Sequence, residues 1–171
     1  MEFYVPEGII NTLGEFISDD LIAIQQLKGL YVSFKWDKKI FKIGVFSPVL
    51  KPIEKQICEE IIGRYRLEKK IKDNEVFSSI IYGGGLRKKT YDSTNTVIVR
   101  FFNLRIGEVY VDWDKFEEIC AERNLPMISV AYYGKYIPKI KNYIVRPSKS
   151  FTVKSINLIK RLRWHESSFK R

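Results

Sequence analysis

The stretch FKWDK, residues 34 to 38, ends an alternating run of apolar and polar side chains and decides how this chain is organised. Residues 30–34 and 40–46 both alternate in this way, which is typical of half-buried strands. The polar residues 37–39 between them predict a tight turn. The two runs therefore predict a β-hairpin, with Lys35 near the end of its first strand.

The rest of the chain continues with helices and short strands. Apolar residues at helical spacing predict a helix over residues 52–70. Asp114 and Glu117 predict a capping box that opens a second helix, which ends at residues 125–126. Period-two runs and the turn at Gly107 predict further strands over residues 76–81, 97–104, 108–111, 127–132, 143–146 and 151–156. The sum predicts an α+β fold, one domain over residues 1–171 with mostly antiparallel sheets flanked by two main helices.

Composition limits the classes of function. The net charge of +10 favours a polyanionic partner, and nucleic acid is the commonest one, although a lysine-rich solvated surface has the same charge. No apolar run approaches the roughly 20 residues of a membrane helix, and no secretory signal is recognisable, so we expect a cytoplasmic protein. Cys58 and Cys120 both fall in helical patterns, where a thiol usually acts as a small buried hydrophobe. We predict neither a disulfide framework nor a metal site.

Several segments, taken in order, resemble the RNA ligase family of covalent nucleotidyltransferases. This is the ATP-dependent group whose catalytic domain also occurs in DNA ligases and mRNA capping enzymes. The family pattern Glu-Lys-x-Asp-Gly falls on residues 34–38, and the order of the following elements is also similar. The other resembling segments are residues 44–47, 65–85, 99–112, 141–146 and 152–157. The resemblance covers roughly residues 20 to 160.

The resemblance implies roles for particular residues. It implies that Lys35 attacks the α-phosphate of ATP and carries AMP, and that Lys154 neutralises that phosphate. A lysine amine is nucleophilic only when deprotonated, so such a site must lower its pKa. The resemblance also implies three further nucleotide contacts. Asp37 would contact the ribose or a metal, Phe102 would stack on the adenine, and Arg146 would supply a cation at a strand end.

The resemblance also implies a loss of metal-binding groups. The family glutamates fall on Phe34, Ser79 and Lys141, none of which supplies a carboxylate for magnesium, and a lysine cannot ligate that ion at all. One hypothesis is that the ammonium of Lys141 takes the place of the metal charge, so that a nucleotide binds without magnesium. Trp36 lies between two charged residues and predicts either a partly exposed stacking surface for a base or a cover for the hairpin.

Two basic segments suggest contacts with nucleic acid. Three glycines precede Arg87, Lys88 and Lys89, which predicts a phosphate clamp or, alternatively, a solvated loop. Near the end of the sequence, basic residues with an aromatic between them suit backbone contacts and stacking on a single strand, or else form a frayed terminus. Those residues are Lys160, Arg161, Arg163 and Trp164.

Three functions remain open from the sequence. The first is a degenerate ligase-like domain that binds nucleic acid, for which RNA is a better candidate than DNA, or a nucleotide such as ATP or AMP, or both, with adenylyl transfer lost or impaired. The second is a working ATP-dependent RNA ligase, which alone would need magnesium. The third is a phage-type inhibitor that recognises a protein partner through the same fold.

Overall fold

The computed structural model describes residues 20–25, 27–45, 49–84, 86, 96–135, 143–152 and 163–171. Ten strands and three helices lie in these residues. The strands are β1 (Leu21–Gln25), β2 (Leu30–Asp37), β3 (Ile40–Val45), β4 (Glu75–Tyr82), β5 (Ile98–Ile106), β6 (Val109–Tyr110), β7 (Val130–Gly134), β8 (Tyr143–Pro147), β9 (Phe151–Thr152) and β10 (Arg163–Lys170). The helices are α1 (Pro52–Tyr65), α2 (Leu67–Lys70) and α3 (Trp113–Glu122).

The strands form two antiparallel sheets. The larger has seven strands in the order β10-β3-β2-β4-β5-β6-β9, and the smaller has three in the order β7-β1-β8. The prediction of an α+β fold with mostly antiparallel sheets and two main helices, α1 and α3, is confirmed. None of the helices in the described part of the chain has the length and apolarity needed to cross a bilayer.

The hairpin of β2 and β3 forms as its alternation predicts. Lys38 has φ 57° in the two-residue turn, and the register pairs Lys35 with Lys42 and Phe34 with Ile43. Residues directly opposite each other share a face of the sheet, so one face carries Phe34 and Ile43 and the other carries both lysines. The Phe34 face is the core face, and the opposite one is called the Lys35 face below.

The helices cover the core face of the larger sheet. Phe116 of α3 contacts Phe77 of β4, with ring centroids 6.5 Å apart. Cys58 of α1 and Cys120 of α3 are buried in the same apolar core and unbonded, as predicted. Burial raises the pKa of each thiol to about 12, so both stay protonated.

Two predicted helix boundaries are wrong. The helix predicted over residues 52–70 is broken at Arg66, whose left-handed backbone (φ 53°, ψ 47°) separates α1 from α2. The second helix has Asp112, and not Asp114, at its N-cap, because Trp113 is buried and forms the first helical residue. Glu117 accepts a hydrogen bond from the indole of Trp113 at 2.9 Å.

The final described strand was not predicted. Residues 163–165, interpreted from the sequence as part of a basic tail, belong to β10, which pairs antiparallel with β3. Arg171, just beyond it, forms an ion pair with Asp73 at 2.7 Å and lies 4.2 Å from the ring centroid of Trp36. The end of the described chain is therefore part of the larger sheet.

Candidate functional site

Lys35 lies on the face of the larger sheet opposite the one on which α1 and α3 pack. Its neighbours across the strands are Lys42 on β3 and Val76 on β4, and Val76 is in turn opposite Arg105 on β5. Cross-strand neighbours are about 5 Å apart, so these side chains form one row across four strands. The row brings three cations, Lys35, Lys42 and Arg105, to one face.

The environment lowers the pKa of Lys35. Partial burial is the main cause, because it disfavours the charged amine. Asp37 opposes this shift, whereas Lys42 and Arg105 add to it. The direction is the one that a nucleophilic lysine requires.

Trp164 covers one side of the Lys35 amine. Trp164 of β10 pairs with Gly44 of β3, and the Lys35 Nζ lies 4.2 Å from the centroid of the Trp164 ring. An ammonium over an indole ring is stabilised by the ring quadrupole, which favours the charged form and opposes the effect of burial. Trp164, predicted as a nucleic-acid contact in a tail, is thus placed beside the predicted nucleophile and is half-buried.

Asp37 lies on the same face, two residues beyond Lys35. Its carboxylate forms an ion pair with Lys42 Nζ at 2.6 Å, and this hydrogen bond lowers the pKa of Asp37. The sequence places Asp37 at a ribose or metal contact. The structure shows that one of its oxygens is bound within the hairpin, and the ribose or metal contact stays a prediction.

An aromatic pair lies on the Lys35 face at the other end of β2. Tyr31 and Phe102 meet edge to face, with ring centroids 5.9 Å apart. The hydroxyl of Tyr31 donates to the Leu27 carbonyl at 2.8 Å, and burial raises its pKa. Phe102 was predicted as an adenine platform, whereas Tyr31 was missed, although its alternation with Lys35 on β2 could have indicated it.

Two hydroxyls lie between the aromatic pair and Lys35. Ser33 Oγ and Ser78 Oγ are 3.1 Å apart on adjacent strands. Ser79, taken from the sequence as the counterpart of a family carboxylate, lies instead in the core, bonded to the Val32 carbonyl. Ser78, and not Ser79, is therefore the β4 serine on the Lys35 face.

Trp36 is not a stacking surface for a base. Its side chain is on the core face, 8% exposed, and contacts Phe41 with ring centroids 5.0 Å apart. Its indole N–H donates to the Glu68 carbonyl at 3.2 Å. Because alternate residues of a strand point to opposite faces, Trp36 cannot share a ligand with Lys35. Of the two interpretations, the cover for the hairpin is the one that fits.

Arg146 on β8 has a structural role that the sequence did not reveal. It is 3% exposed and donates to Asn103 Oδ1 at 2.7 Å and to the carbonyls of Val111 and Pro147. Its guanidinium also lies 5.5 Å from the ring centroid of Trp113. Burial lowers its pKa, but an arginine remains charged at neutral pH. These internal bonds tie the smaller sheet to the larger one, and the nucleotide contact of Arg146 stays a prediction.

The remaining predicted contacts lie outside the described residues. These are Arg87, Lys88, Lys89, Lys141, Lys154, Lys160 and Arg161. Arg163 begins β10 opposite Val45. Among the residues that the structure describes, no group of three or more acidic, histidine or cysteine side chains is placed to hold a metal ion.

Comparison with known proteins identifies the fold. No family model and no curated protein sequence matches the chain. Solved structures do match. An RNA ligase from Naegleria gruberi with AMP and Mn superposes with a TM-score of 0.64 at 9% identity, over 90% of this chain and 55% of that one. The same ligase with ATP and Mn superposes with a TM-score of 0.62 at 8% identity, over 94% of this chain and 57% of that one.

An archaeal ATP-dependent RNA ligase gives a TM-score of 0.55 at 13% identity, over 72% of this chain and 34% of that one. This chain therefore spans 34% to 57% of the length of these three structures. It has the fold of an RNA-ligase-like nucleotidyltransferase, as the sequence resemblance predicted. At such identities the likeness defines the fold and no more.

Proposed function

We propose that this protein binds RNA, or a nucleotide such as ATP or AMP, on the Lys35 face, and that adenylyl transfer is lost or impaired. One observation carries the proposal. Tyr31, Ser33 and Lys35 alternate along β2 on one face, so that a half-buried aromatic ring, the hydroxyl pair of Ser33 and Ser78, and a half-buried cation follow one another along the strand. From Tyr31 to Lys35 the strand advances by four residue steps, about 13 Å, which suits the base, ribose and phosphate of one nucleotide.

The chemistry of each group supports this order. Phe102 beside Tyr31 offers an aromatic surface, and stacking of a base on such a surface tolerates any base. The hydroxyl of Ser78 is half-buried and can donate to or accept from a ribose 2′-OH, which is the group that distinguishes RNA from DNA, whereas its partner Ser33 is buried. Lys35 and Arg105 supply positive charge at the phosphate end.

The loss of transfer is supported by what surrounds Lys35. Phe34, where the family pattern has a glutamate, is fully buried in the core, and the Asp37 carboxylate is paired with Lys42. Metal-assisted phosphoryl transfer needs carboxylates that face the reacting phosphate. The described residues of this face do not supply that set, and Trp164 favours the ammonium form of Lys35.

A second candidate, a working ATP-dependent RNA ligase, is favoured by one observation. Burial, Lys42 and Arg105 lower the pKa of Lys35, which raises the fraction of its nucleophilic form. Incubation with α-labelled ATP and magnesium or manganese separates the two candidates. The proposed function predicts no labelled protein. Label on the native protein and on Lys42→Ala, but not on Lys35→Ala, would show that Lys35 forms the AMP adduct of a ligase and would overturn the proposed loss of transfer.

Binding itself is tested with a labelled single-stranded oligoribonucleotide by fluorescence anisotropy. We expect Lys35→Met to weaken binding and to flatten the dependence on salt by about 0.7 in log–log slope, the value for one phosphate contact on a single strand. Lys55→Met removes the same charge from an exposed position on α1, behind the core face, and should leave affinity nearly unchanged. Equal losses in both variants, or no RNA binding by the native protein, would overturn the proposal.

A further inference from the structure

The strand β10 has two parts that are attached to the rest of the protein in different ways. Its first part, residues 163–166, pairs with β3 in continuous register. The next paired residue is Lys170, so the residues between Glu166 and Lys170 lie opposite the single Phe41 of β3. Such a bulge interrupts the ladder and bends the strand. The break in pairing therefore separates residues 163–166 from the second part of β10.

The second part is anchored by contacts of its own. The ring of Phe169 packs against the apolar core and lies beside Gly63 of α1, where an added Cβ would be 3.7 Å from Cζ of the ring. The backbone N–H of Arg171 donates to the Lys39 carbonyl at 3.0 Å, and the Arg171 side chain pairs with Asp73. These contacts hold Phe169 and Arg171 independently of the pairing of residues 163–166.

The first part has fewer attachments beyond its backbone pairing. Trp164 contacts Gly44 and the Lys35 amine on the Lys35 face, whereas Glu166 is exposed. The buried Nε2 of His165 has no hydrogen-bond partner in the described part of the chain, which makes its burial unfavourable. One large ring is thus the main side-chain contact of this part, and the ring lies on the amine of the predicted nucleophile.

We propose that residues 163–166 form an autoinhibitory strap, in which Trp164 covers the Lys35 amine until the strap lifts from β3 about the bulge. This proposal rests on the function proposed above and adds how access to the Lys35 face is regulated. The Trp164 ring occupies one side of the amine, 4.2 Å from Nζ, and stabilises the ammonium there, so a ligand of Lys35 competes with the ring. The contacts of Phe169 and Arg171 keep the lifted strap tethered.

The reactivity of the Lys35 amine tests the strap without any ligand. The full chain is treated with a trace of acetic anhydride, and acetylated lysines are quantified by peptide mass spectrometry. Lys55, exposed on α1, is the reference within the same molecules. We expect Trp164→Ala to raise acetylation of Lys35 about threefold relative to Lys55, because the cation–π contact is lost. Trp164→Phe keeps a ring in a side chain that should fold normally, and should raise it less. An unchanged ratio in both variants would overturn the proposal.

Affinity for a labelled single-stranded oligoribonucleotide distinguishes a strap from a ligand contact. If the strap is inhibitory, Trp164→Ala should bind about threefold more tightly than the native protein, because the competing ring is gone. Weaker or unchanged binding would overturn the strap and leave the proposed function standing, and weaker binding would assign Trp164 to the RNA contact. Failure of the native protein and the variant to bind would overturn the proposed function alone, because the acetylation ratio still reports whether Trp164 covers Lys35.

Hydrogen exchange tests the hinge. The amides of residues 164–166 should exchange faster than the Arg171 amide, and saturating RNA should accelerate exchange in residues 164–166 only. Slower exchange of residues 164–166 on RNA binding, or equal rates along β10 with and without RNA, would show that the strap does not lift.

Discussion

Gly44 provides the space in which Trp164 lies: a Cβ atom added to Gly44 would be 2.9 Å from Cζ3 of the Trp164 ring. The contact joins β3 to β10 on the Lys35 face and places the indole beside the Lys35 amine. A glycine in the interior of a strand usually weakens the strand, but here it permits the close approach of a large ring. The position of Trp164 therefore depends on the absence of a side chain at residue 44.

Gly44→Ala should displace Trp164 and destabilise the protein. Insertion of a methyl group at a contact of 2.9 Å forces the ring to shift, at a cost of about 1–3 kcal/mol. Urea unfolding measures the cost, and quenching of tryptophan fluorescence by iodide should rise as Trp164 moves.

Gly63→Ala is the matched control, because its Cβ would meet Phe169 at an ordinary 3.7 Å. In the α1 helix that change should stabilise by up to about 1 kcal/mol. Equal effects of the two alanines would contradict the packing described.

The buried ion pair of Glu75 and Arg123 should make stability depend on pH. Burial by itself would raise the pKa of Glu75, but hydrogen bonds from Arg123 and from the Lys72 N–H outweigh it, so the pKa is lowered. A carboxyl with a lowered pKa stabilises the fold above its unfolded pKa of about 4.3, and this contribution is lost as the pH falls through the folded value.

Arg123→Met should cost about 3–5 kcal/mol at pH 7, because Glu75 would be left buried and unpaired. The difference from the native protein should shrink toward pH 4, where the unpaired carboxyl takes up a proton. Denaturant unfolding at several pH values measures this. Lys115→Met breaks an exposed pair with Glu118 and should cost less than about 1 kcal/mol at any pH. A cost for Arg123→Met that does not vary with pH would argue against the pair.

Neither cysteine should react in the native state. Cys58 and Cys120 are 0% and 1% exposed, and burial raises both thiol pKa values to about 12. At pH 8 we expect no fast modification by a disulfide reagent, and two equivalents once the protein is unfolded in guanidinium. Rapid reaction of one thiol before unfolding would show that its helix does not pack as described.

Phe102→Leu should weaken RNA binding by about 1–3 kcal/mol, the usual range for loss of a base-stacking ring. Leucine keeps an apolar side chain beside Tyr31, so the fold should persist. Tyr65→Leu removes an aromatic ring from α1, on the opposite side of the sheet, and should not change affinity. Anisotropy titration of both variants decides whether the Tyr31 and Phe102 end of β2 contacts bases.

The sequence was sufficient for the features that depend on local pattern. Alternation predicted the hairpin of β2 and β3, and the same alternation separates Trp36 from Lys35 once a face is assigned to each. The order of motifs predicted the fold. These features depend on the periodicity of strands and on the residue types of turns, and both can be recognised from a few consecutive residues.

Contacts between residues far apart in the sequence could not be predicted from these local patterns. Arg146 meets Asn103 across 43 residues, so its burial could not be inferred from a strand that ends in proline. β10 contains mostly polar residues, RWHESSFK, and its strand structure comes from pairing with the edge of β3. The placement of Trp164 over Lys35 follows from that pairing and had no local signal.

The central claim is that the Lys35 face of the larger sheet binds a nucleotide unit, and amide chemical-shift mapping during titration with a short oligoribonucleotide tests it most directly. We predict shifts at Tyr31, Ser33 and Lys35, with smaller ones at Arg105 and at Trp164, whose indole N–H gives a separate signal. The amides of α1 and α3 should not move. Shifts confined to the helices, or absent from β2 while the RNA is bound, would contradict the account.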